Sequence, residues 1–251
     1  MVRPFLFAWH FLTAIPLSRR HHKPTASELA RSMRWYPLVG FIIGALLVAA
    51  DQLLALAFAQ PVRDVLLILL VILVTRGLHQ DGLADTLDGM AGGHSPEERL
   101  AIMRDPRIGV FGALGLLVSL GLRYAGLVAL PQGTRIPVLL CMPALGRWSM
   151  VIAAHAAPYA RKEGGLGEPF LAQLSPRDVV WAGVVFVFAL PFLWGPSAGA
   201  LAILSVALIA VGFASLSTKL CGGVTGDTLG ATNELAELAL LLMAPALLSL
   251  R

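Results

Sequence analysis

The feature that most constrains this chain is a series of apolar stretches long enough, or nearly so, to cross the hydrocarbon core of a bilayer. They run over roughly 37–59, 62–78, 109–130, 136–157, 178–194, 197–217 and 232–250, against the roughly 20 residues a spanning helix requires. The expected fold is all-α: a polytopic integral membrane helix bundle of about seven transmembrane helices, forming a single membrane-embedded domain over residues 1–251. Composition points the same way. Of 251 residues 57% are hydrophobic and 14% charged, and the mean hydropathy is +0.77, well outside the balance of a soluble domain.

A pI near 9.5 and a formal net charge of +4 raise the question of nucleic acid, but the cations are scattered among loops and form no single basic face. They read as a membrane-orientation signal, so the expected partner is a lipid bilayer and not nucleic acid. Cys141 and Cys221 lack CxxC or Cys/His spacing and read as buried thiols. The N-terminal "MVRPFLFAWHFLTAIPLSRRHHK" has an early Arg3 and an apolar run but no convincing small-residue cleavage site, so it is expected to be retained. Pro4, His10 and Pro16 interrupt it, which favours an N-terminal interfacial or re-entrant helix over a full span.

Arg19, Arg20, Lys23, Arg31 and Arg34 place the region before the first span in the cytoplasm, and alternation then sets the rest. The turns near Pro61, Pro131 and Pro196 face outward, and segments 79–108, 158–177 and 218–231 face inward. Arg99, Arg104, Arg107, Arg161, Lys162, Arg177 and Lys219 fall inside, against Arg63 and Arg135 outside, so the positive-inside bias agrees with the span count. In the first inward segment "SPEERLAIMRDP" predicts a short surface helix. Ser95 is its N-cap, Pro96 its first residue, Glu98 completes a capping box, and Pro106 is the stop.

The same inward segment opens with "HQDGLADTLDGMAGG", residues 79–93. On a helix Asp81, Asp85 and Asp88 fall at i, i+4 and i+7, within about 60° of one another. Three carboxylates on one face repel, raising some of their pKa values, unless a cation neutralises them. Hard oxygen ligands suit Mg²⁺, which keeps waters and takes substrate phosphates. An exposed acidic helix end would need no metal, but ionisable groups beside a membrane span are costly and usually functional. Gly82, Gly89, Gly92 and Gly93 allow a ligand close to the backbone, although helix packing uses glycine equally well.

A second acidic set occurs in "CGGVTGDTLGATNELAEL", with Asp227 and Glu234 seven apart and Glu237 three further on. Thr225, Gly226 and Asp227 read as a ligand loop, with Asp227 and Glu234 as further metal candidates; favourable placement of acids near a helix N-terminus explains Glu234 equally well. Arg104 and Arg107 precede a span whose N-terminus favours an anion, although positive-inside anchoring accounts for Arg107 as well. Arg147 falls near the middle of the fourth span, where it needs an acidic partner or a bound anion. His79, two residues before Asp81, points to the opposite side of a continuous helix and serves as a base only if the helix breaks. Asp51, His155 and the tryptophans read as packing or interfacial groups.

"HQDGLADTLDGMAGG", then "IMRDPRIGVFG", then "GGVTGDTLGATNE" resemble the cobalamin synthase family, the adenosylcobinamide-GDP ribazoletransferases. "FLTAIP", "RWYPLVGFIIG", "GRWSM" and "PYARKEGGLG" are similar to that family too, in the same order along nearly the whole chain. The resemblance implies a multi-pass enzyme of the bacterial inner membrane that uses Mg²⁺. It implies joining of α-ribazole, or α-ribazole 5′-phosphate, to adenosylcobinamide-GDP, giving adenosylcobalamin or its 5′-phosphate and GMP. A ribose hydroxyl must attack the phosphorus on the cobinamide side while GMP leaves, and metal ions suit such a displacement. On this reading Asp81, Asp85 and Asp88 are metal ligands, and Asp88 or His79 is the base. Arg104, Arg107 and Arg147 hold phosphate. The Asp-Gly pattern also resembles the CDP-alcohol phosphotransferases, as a chemical analogy without their full aspartate spacing.

An ion-coupled transporter is the alternative, since transmembrane carboxylates also relay cations. Its site belongs near the bilayer midplane, whereas these acids cluster where spans meet the cytoplasm, which favours an enzyme. The two acidic clusters and Arg147 are expected to converge on one phosphate-binding cavity, and the oligomeric state is left open.

Overall fold

The computed structural model describes residues 2–17, 24–161, 163–165 and 167–250; Arg19, Arg20, Lys23 and Lys162 lie outside them. The helices in chain order are α1 (Val2–Leu12), α2 (Ala26–Ser32), α3 (Tyr36–Leu54), α4 (Gln60–Thr75), α5 (Leu78–Gly92), α6 (Pro96–Ile102), α7 (Val110–Ala129), α8 (Gln132–Ala156), α9 (Glu168–Leu171), α10 (Pro176–Trp194), α11 (Pro196–Cys221) and α12 (Gly226–Leu248). One 3₁₀ turn, Met33–Trp35, joins α2 to α3.

Among the described residues six stretches are long and apolar enough to cross a membrane: Ala26–Leu54, Val110–Ala129, Gln132–Ala156, Pro176–Trp194, Pro196–Cys221 and Gly226–Leu248. The remaining expected span, 62–78, forms α4, whose 16 residues rise about 24 Å at 1.5 Å each. It stops where Arg76 (φ 57°) and Gly77 (φ 66°) adopt the left-handed conformation, which breaks the helix and lets α5 start afresh. With 11 residues, α1 is about 16 Å long and too short to cross. It is pinned beside the end of α4: Trp9 Nε1 donates to the Ile15 carbonyl at 2.7 Å, and the Ala14 N–H donates to the Val74 carbonyl at 2.6 Å.

The interior is organised on α8 and α12, whose side chains are largely buried. Glycine sets how close α3 comes to α8. A Cβ at Gly44 would lie 2.2 Å from the Leu140 carbonyl oxygen, and one at Gly40 2.4 Å from Ala144 Cα, so the pair acts as a small-xxx-small contact. Pro137 and Pro143 interrupt the hydrogen-bond ladder of α8. Side chains use nearby carbonyls: Trp194 Nε1 donates to Pro137 O at 3.2 Å and Arg147 Nη1 to Pro143 O at 3.2 Å. Leu69, Leu73, Phe188, Phe192, Leu204 and Leu208 are exposed on the outer faces of α4, α10 and α11, as helices surrounded by acyl chains require.

Arg63 and Arg135, read from sequence as outward loop charges, are buried. Arg135 makes a two-point contact with Asp51, at 2.9 and 2.8 Å, and also bonds Asp64. Arg63 lies 3.3 Å from Asp51. The sequence treated Asp51 as packing; it is in fact the centre of a charge-balanced cluster joining α3, α4 and α8, because a charge removed from water must be paired.

The short helix α6 carries its Ser95 cap, which accepts the Glu98 N–H at 3.2 Å. Glu98 reaches past the cap to the His94 N–H, at 2.8 Å. Arg99 donates to the Leu220 carbonyl at 2.9 Å, fastening α6 to the carbonyl end of α11, where a cation is favoured.

Candidate active site

The site begins where α5 lies against the first turns of α12. A Cβ at Gly82 would sit 2.8 Å from the Asp227 carbonyl oxygen, and one at Gly230 would sit 3.4 Å from His79 Cα. Of the two uses open to Gly82, the structure shows helix packing. This contact sets Asp81 and Asp85 of one helix beside Asp227 of the other, with Asp81 exposed and Asp85 and Asp227 half-buried. Arg161 bonds Asp227 at 2.6 Å. Its loop is fastened by two backbone bonds, Val224 N–H to Pro158 O at 2.8 Å and Ala160 N–H to Val224 O at 2.9 Å.

Burial, and then the negative charges of Asp81, Asp227 and Asp88, push the Asp85 carboxyl up to about 7, with Arg161 opposing. Repulsion among the acids, expected from their i, i+4, i+7 spacing, is thus present. Among the described residues no group of three or more His, Cys, Asp or Glu side chains is gathered closely enough to hold a metal ion. Mg²⁺ is held by one or two carboxylates with the rest of its shell from water and phosphate. Asp81 and Asp85 meet that modest requirement, and a dication would relieve the repulsion between them.

Asp88 is committed elsewhere. Its two carboxylate oxygens accept the N–H groups of Gly109, at 2.7 Å, and Gly112, at 2.8 Å, so it caps the N-terminus of α7 from a neighbouring helix. That corrects its readings both as a metal ligand and as the base: the oxygens face a helix end. A Cβ at Gly109 or Gly112 would collide with this carboxylate at 2.4 and 2.3 Å.

Below the open acids, further along α12, lies a closed network. Arg123 bonds Glu237 at 2.7 Å and Glu234 at 2.8 Å, and Gln80 donates to Glu234 at 3.1 Å. Arg147 bonds Glu237 and contacts His79 Nδ1 at 3.4 Å. Asn233 donates to Glu237 at 3.1 Å. Arg147 has no exposed surface, and His79, Arg123, Glu234 and Glu237 are all buried.

Three sequence readings change here. Arg147 finds its counter-charge in Glu237, so it supports α12 and does not line a phosphate cavity. Glu234 has both oxygens engaged by Arg123 and Gln80, so it belongs to this network and not to the acidic patch. His79 is enclosed as well; α5 breaks before it, at Arg76 and Gly77, and not between it and Asp81. Burial, then the cations of Arg147 and Arg123, hold its imidazole well below the usual range, and an enclosed ring that resists protonation is out of reach of a substrate hydroxyl and poorly able to take its proton. The expected single cavity is resolved into an open acidic tier and a buried ionic one. Arg123 went unnoticed in the sequence because, within "SLGLRYAGL", nothing marks its partners more than a hundred residues away.

Of the remaining candidates, Arg107 is exposed and bonds Asp105 at 2.6 Å. It lines a cleft of about 540 Å³ with Asp88, Gly109 and Phe111. Arg104 is paired with Glu163 at 3.3 Å, which links the loop before α7 to the one that carries Arg161. Thr225 is buried and caps α12, accepting the Thr228 N–H at 3.2 Å; its reading as a substrate contact gives way to that backbone role. Arg161 is the residue that sequence reasoning undervalued. Its position in the sequence marks it for orientation alone, since its contact with Asp227 joins positions 66 apart.

Long apolar helices, with Asp81, Asp85 and Asp227 beside Arg161 at one end of the bundle, define a multi-pass membrane protein with an arginine-flanked acidic site. Comparison with known proteins narrows this. The family model described as cobalamin-5-phosphate synthase matches residues 4–245, and the chain belongs to that family. It is 40% identical over 240 residues to the adenosylcobinamide-GDP ribazoletransferase of Syntrophobacter fumaroxidans, covering 92% of this chain and 96% of that one. The protein of that name from Desulfitobacterium hafniense is 38% identical, with 98% of each chain covered. The one from Acinetobacter baumannii is 37% identical, with 95% of each covered. No solved structure matches the chain.

Proposed function

We propose that this chain is an adenosylcobinamide-GDP ribazoletransferase, acting in the final assembly of the cobalamin nucleotide loop. It joins α-ribazole, or its 5′-phosphate, to adenosylcobinamide-GDP, forming adenosylcobalamin or the corresponding 5′-phosphate and releasing GMP. The observation that carries this reading is the family match over residues 4–245, within which the open acids Asp81, Asp85 and Asp227 stand together. In the reaction a ribose hydroxyl forms a bond to the phosphorus on the cobinamide side. The phosphoanhydride bond to GMP breaks, and the hydroxyl proton leaves to water at the exposed edge of the patch.

Asp81 and Asp85 are the residues that would hold Mg²⁺. When bound there, such an ion would neutralise the diphosphate and charge on the leaving oxygen. Arg107, exposed at the entrance to α7, takes a phosphate oxygen, and Arg161 exchanges its contact with Asp227 for one with substrate. Asp88 keeps α7 aligned, and the Arg123–Glu234–Glu237–Arg147 network keeps α5, α7, α8 and α12 in register beneath the site.

The chain lies in the bacterial inner membrane as one catalytic domain with its acidic end in the cytoplasm. Arg99, Arg104, Arg107, Arg161, Arg177 and Lys219 are at that end. Arg63 and Arg135 at the other are neutralised by Asp51 and Asp64, which sharpens the positive-inside asymmetry. The test uses purified protein in lipid, mixed with adenosylcobinamide-GDP and α-ribazole with and without Mg²⁺. Corrinoid product and GMP in the presence of the metal are expected; intact substrates with a folded protein would overturn the reading.

A further inference from the structure

On the lipid side of the bundle, away from the acidic patch, a cavity of about 620 Å³ lies between the 3₁₀ turn, α3 and α10. Its wall is apolar and aromatic: Leu38, Val184, Val185, Trp35 and Trp181. Arg31 and Arg34 also line it; both precede α3, and Arg34 bonds Asp178 in the first turn of α10, which sets them at one end. The end is the one where α3 and α10 begin, the same level as the cytoplasmic cations.

Two observations distinguish this cavity from an ordinary groove between helices. The first is the order of chemistry along it. Trp35 directly precedes α3 and Trp181 lies in the second turn of α10, at the depth where indoles settle between headgroup and acyl chain. Leu38, Val184 and Val185 continue toward the hydrocarbon, and Trp181 is 64% exposed. The second is the state of the two cations. Arg34 is held by Asp178, and Asp178 is itself the capping partner of Ser175 at the start of α10. Arg31 is exposed and has no carboxylate within ion-pair distance among the described residues. One guanidinium is fixed in place, and the other carries an uncompensated charge.

We propose that this cavity binds one anionic phospholipid of the surrounding bilayer, with the phosphate on Arg31 and Arg34 and an acyl chain along Leu38, Val184 and Val185 between α3 and α10. A zwitterionic lipid fits the apolar wall equally well but brings its own cation to the arginines, so charge decides between them. The site would stabilise the seam between the α1–α3 region and α10.

The test measures the relative association of brominated phosphatidylglycerol and brominated phosphatidylcholine by quenching of tryptophan fluorescence in nanodiscs, with the Trp181→Phe difference isolating the cavity. The wild type should prefer phosphatidylglycerol at Trp181. Arg31→Gln, at an exposed position where misfolding is not expected, should lower that preference about fivefold, the effect of one cation near an anionic headgroup. Arg177→Gln removes an exposed cation at the same level but outside the cavity, and should leave the preference unchanged. Equal association of the two lipids in the wild type would overturn the proposal. So would equal losses in the Arg31 and Arg177 variants, because general surface charge would then explain the binding.

Discussion

Among the described residues Asp85 makes no ion pair, and its neighbours make its ionisation difficult. An ordinary aspartate ionises near 3.8, whereas burial and surrounding acids push Asp85 up to about 7. Between those pH values the folded protein holds a proton that the unfolded chain has lost, so stability of the metal-free protein falls as pH rises toward and through 7. A cation bound at the proposed site would take the place of that proton. Thermal stabilisation by Mg²⁺ in detergent should therefore be larger at pH 8 than at pH 6, and Asp85→Asn should flatten the difference; equal shifts at both pH values would remove Asp85 from the cation site. Turnover should be abolished in Asp81→Asn and Asp85→Asn with membrane insertion unchanged, and unchanged activity in both would remove the central assignment. Glu237 makes a different demand. Glu237→Gln leaves Arg147 buried without its counter-charge, and losing one partner of such a pair costs about 3–5 kcal/mol. Denaturant unfolding in micelles measures this, and an unaltered midpoint would show that Arg147 has another partner.

At the scale of elements, glycine positions decide which helices touch. Gly44 lets α3 settle on the backbone of α8, and Gly82 lets α5 settle on α12. Gly44→Ala should lower the melting temperature, since the new Cβ meets a carbonyl that cannot move aside. Gly121→Ala on α7, where a Cβ has nothing within 4 Å, should be neutral or mildly stabilising through helix propensity. Gly82→Ala should preserve insertion but lower turnover by displacing Asp81 and Asp85 from Asp227. Wild-type turnover in that variant would mean that the α5–α12 contact does not position the acids. The break at Arg76 and Gly77 acts at this scale too: without it, the short α4 would continue and carry the aspartates along its own axis.

Across the whole molecule, the exposed cations and the open acids share one end of the bundle. Single cysteines at Gly92, Glu163 and Gly226, in a background lacking Cys141 and Cys221, should all react from the cytoplasmic side, and one at Ala57 from the opposite side. Outside labelling of any of the first three would separate the loops from the shared site. Both native cysteines are buried and free, so their removal takes no disulfide from the fold.

Legible in the sequence alone were the all-helical membrane class, the short N-terminal helix, the cap at Ser95, and the grouping of Asp81, Asp85 and Asp88 on one helix. These follow from span length, capping chemistry and helical period, all of which act over a few residues. It also carried the family resemblance, because ordered motifs survive in linear text. The tertiary structure decided which charges are spent on one another. Asp88 on the end of α7, Glu234 and Glu237 on Arg123 and Arg147, and Arg161 on Asp227 are pairings between residues 21 to 114 apart. Nothing in local spacing encodes them. They form because packed helices bring distant charges out of water together, where each must find an opposite partner or a bound ion.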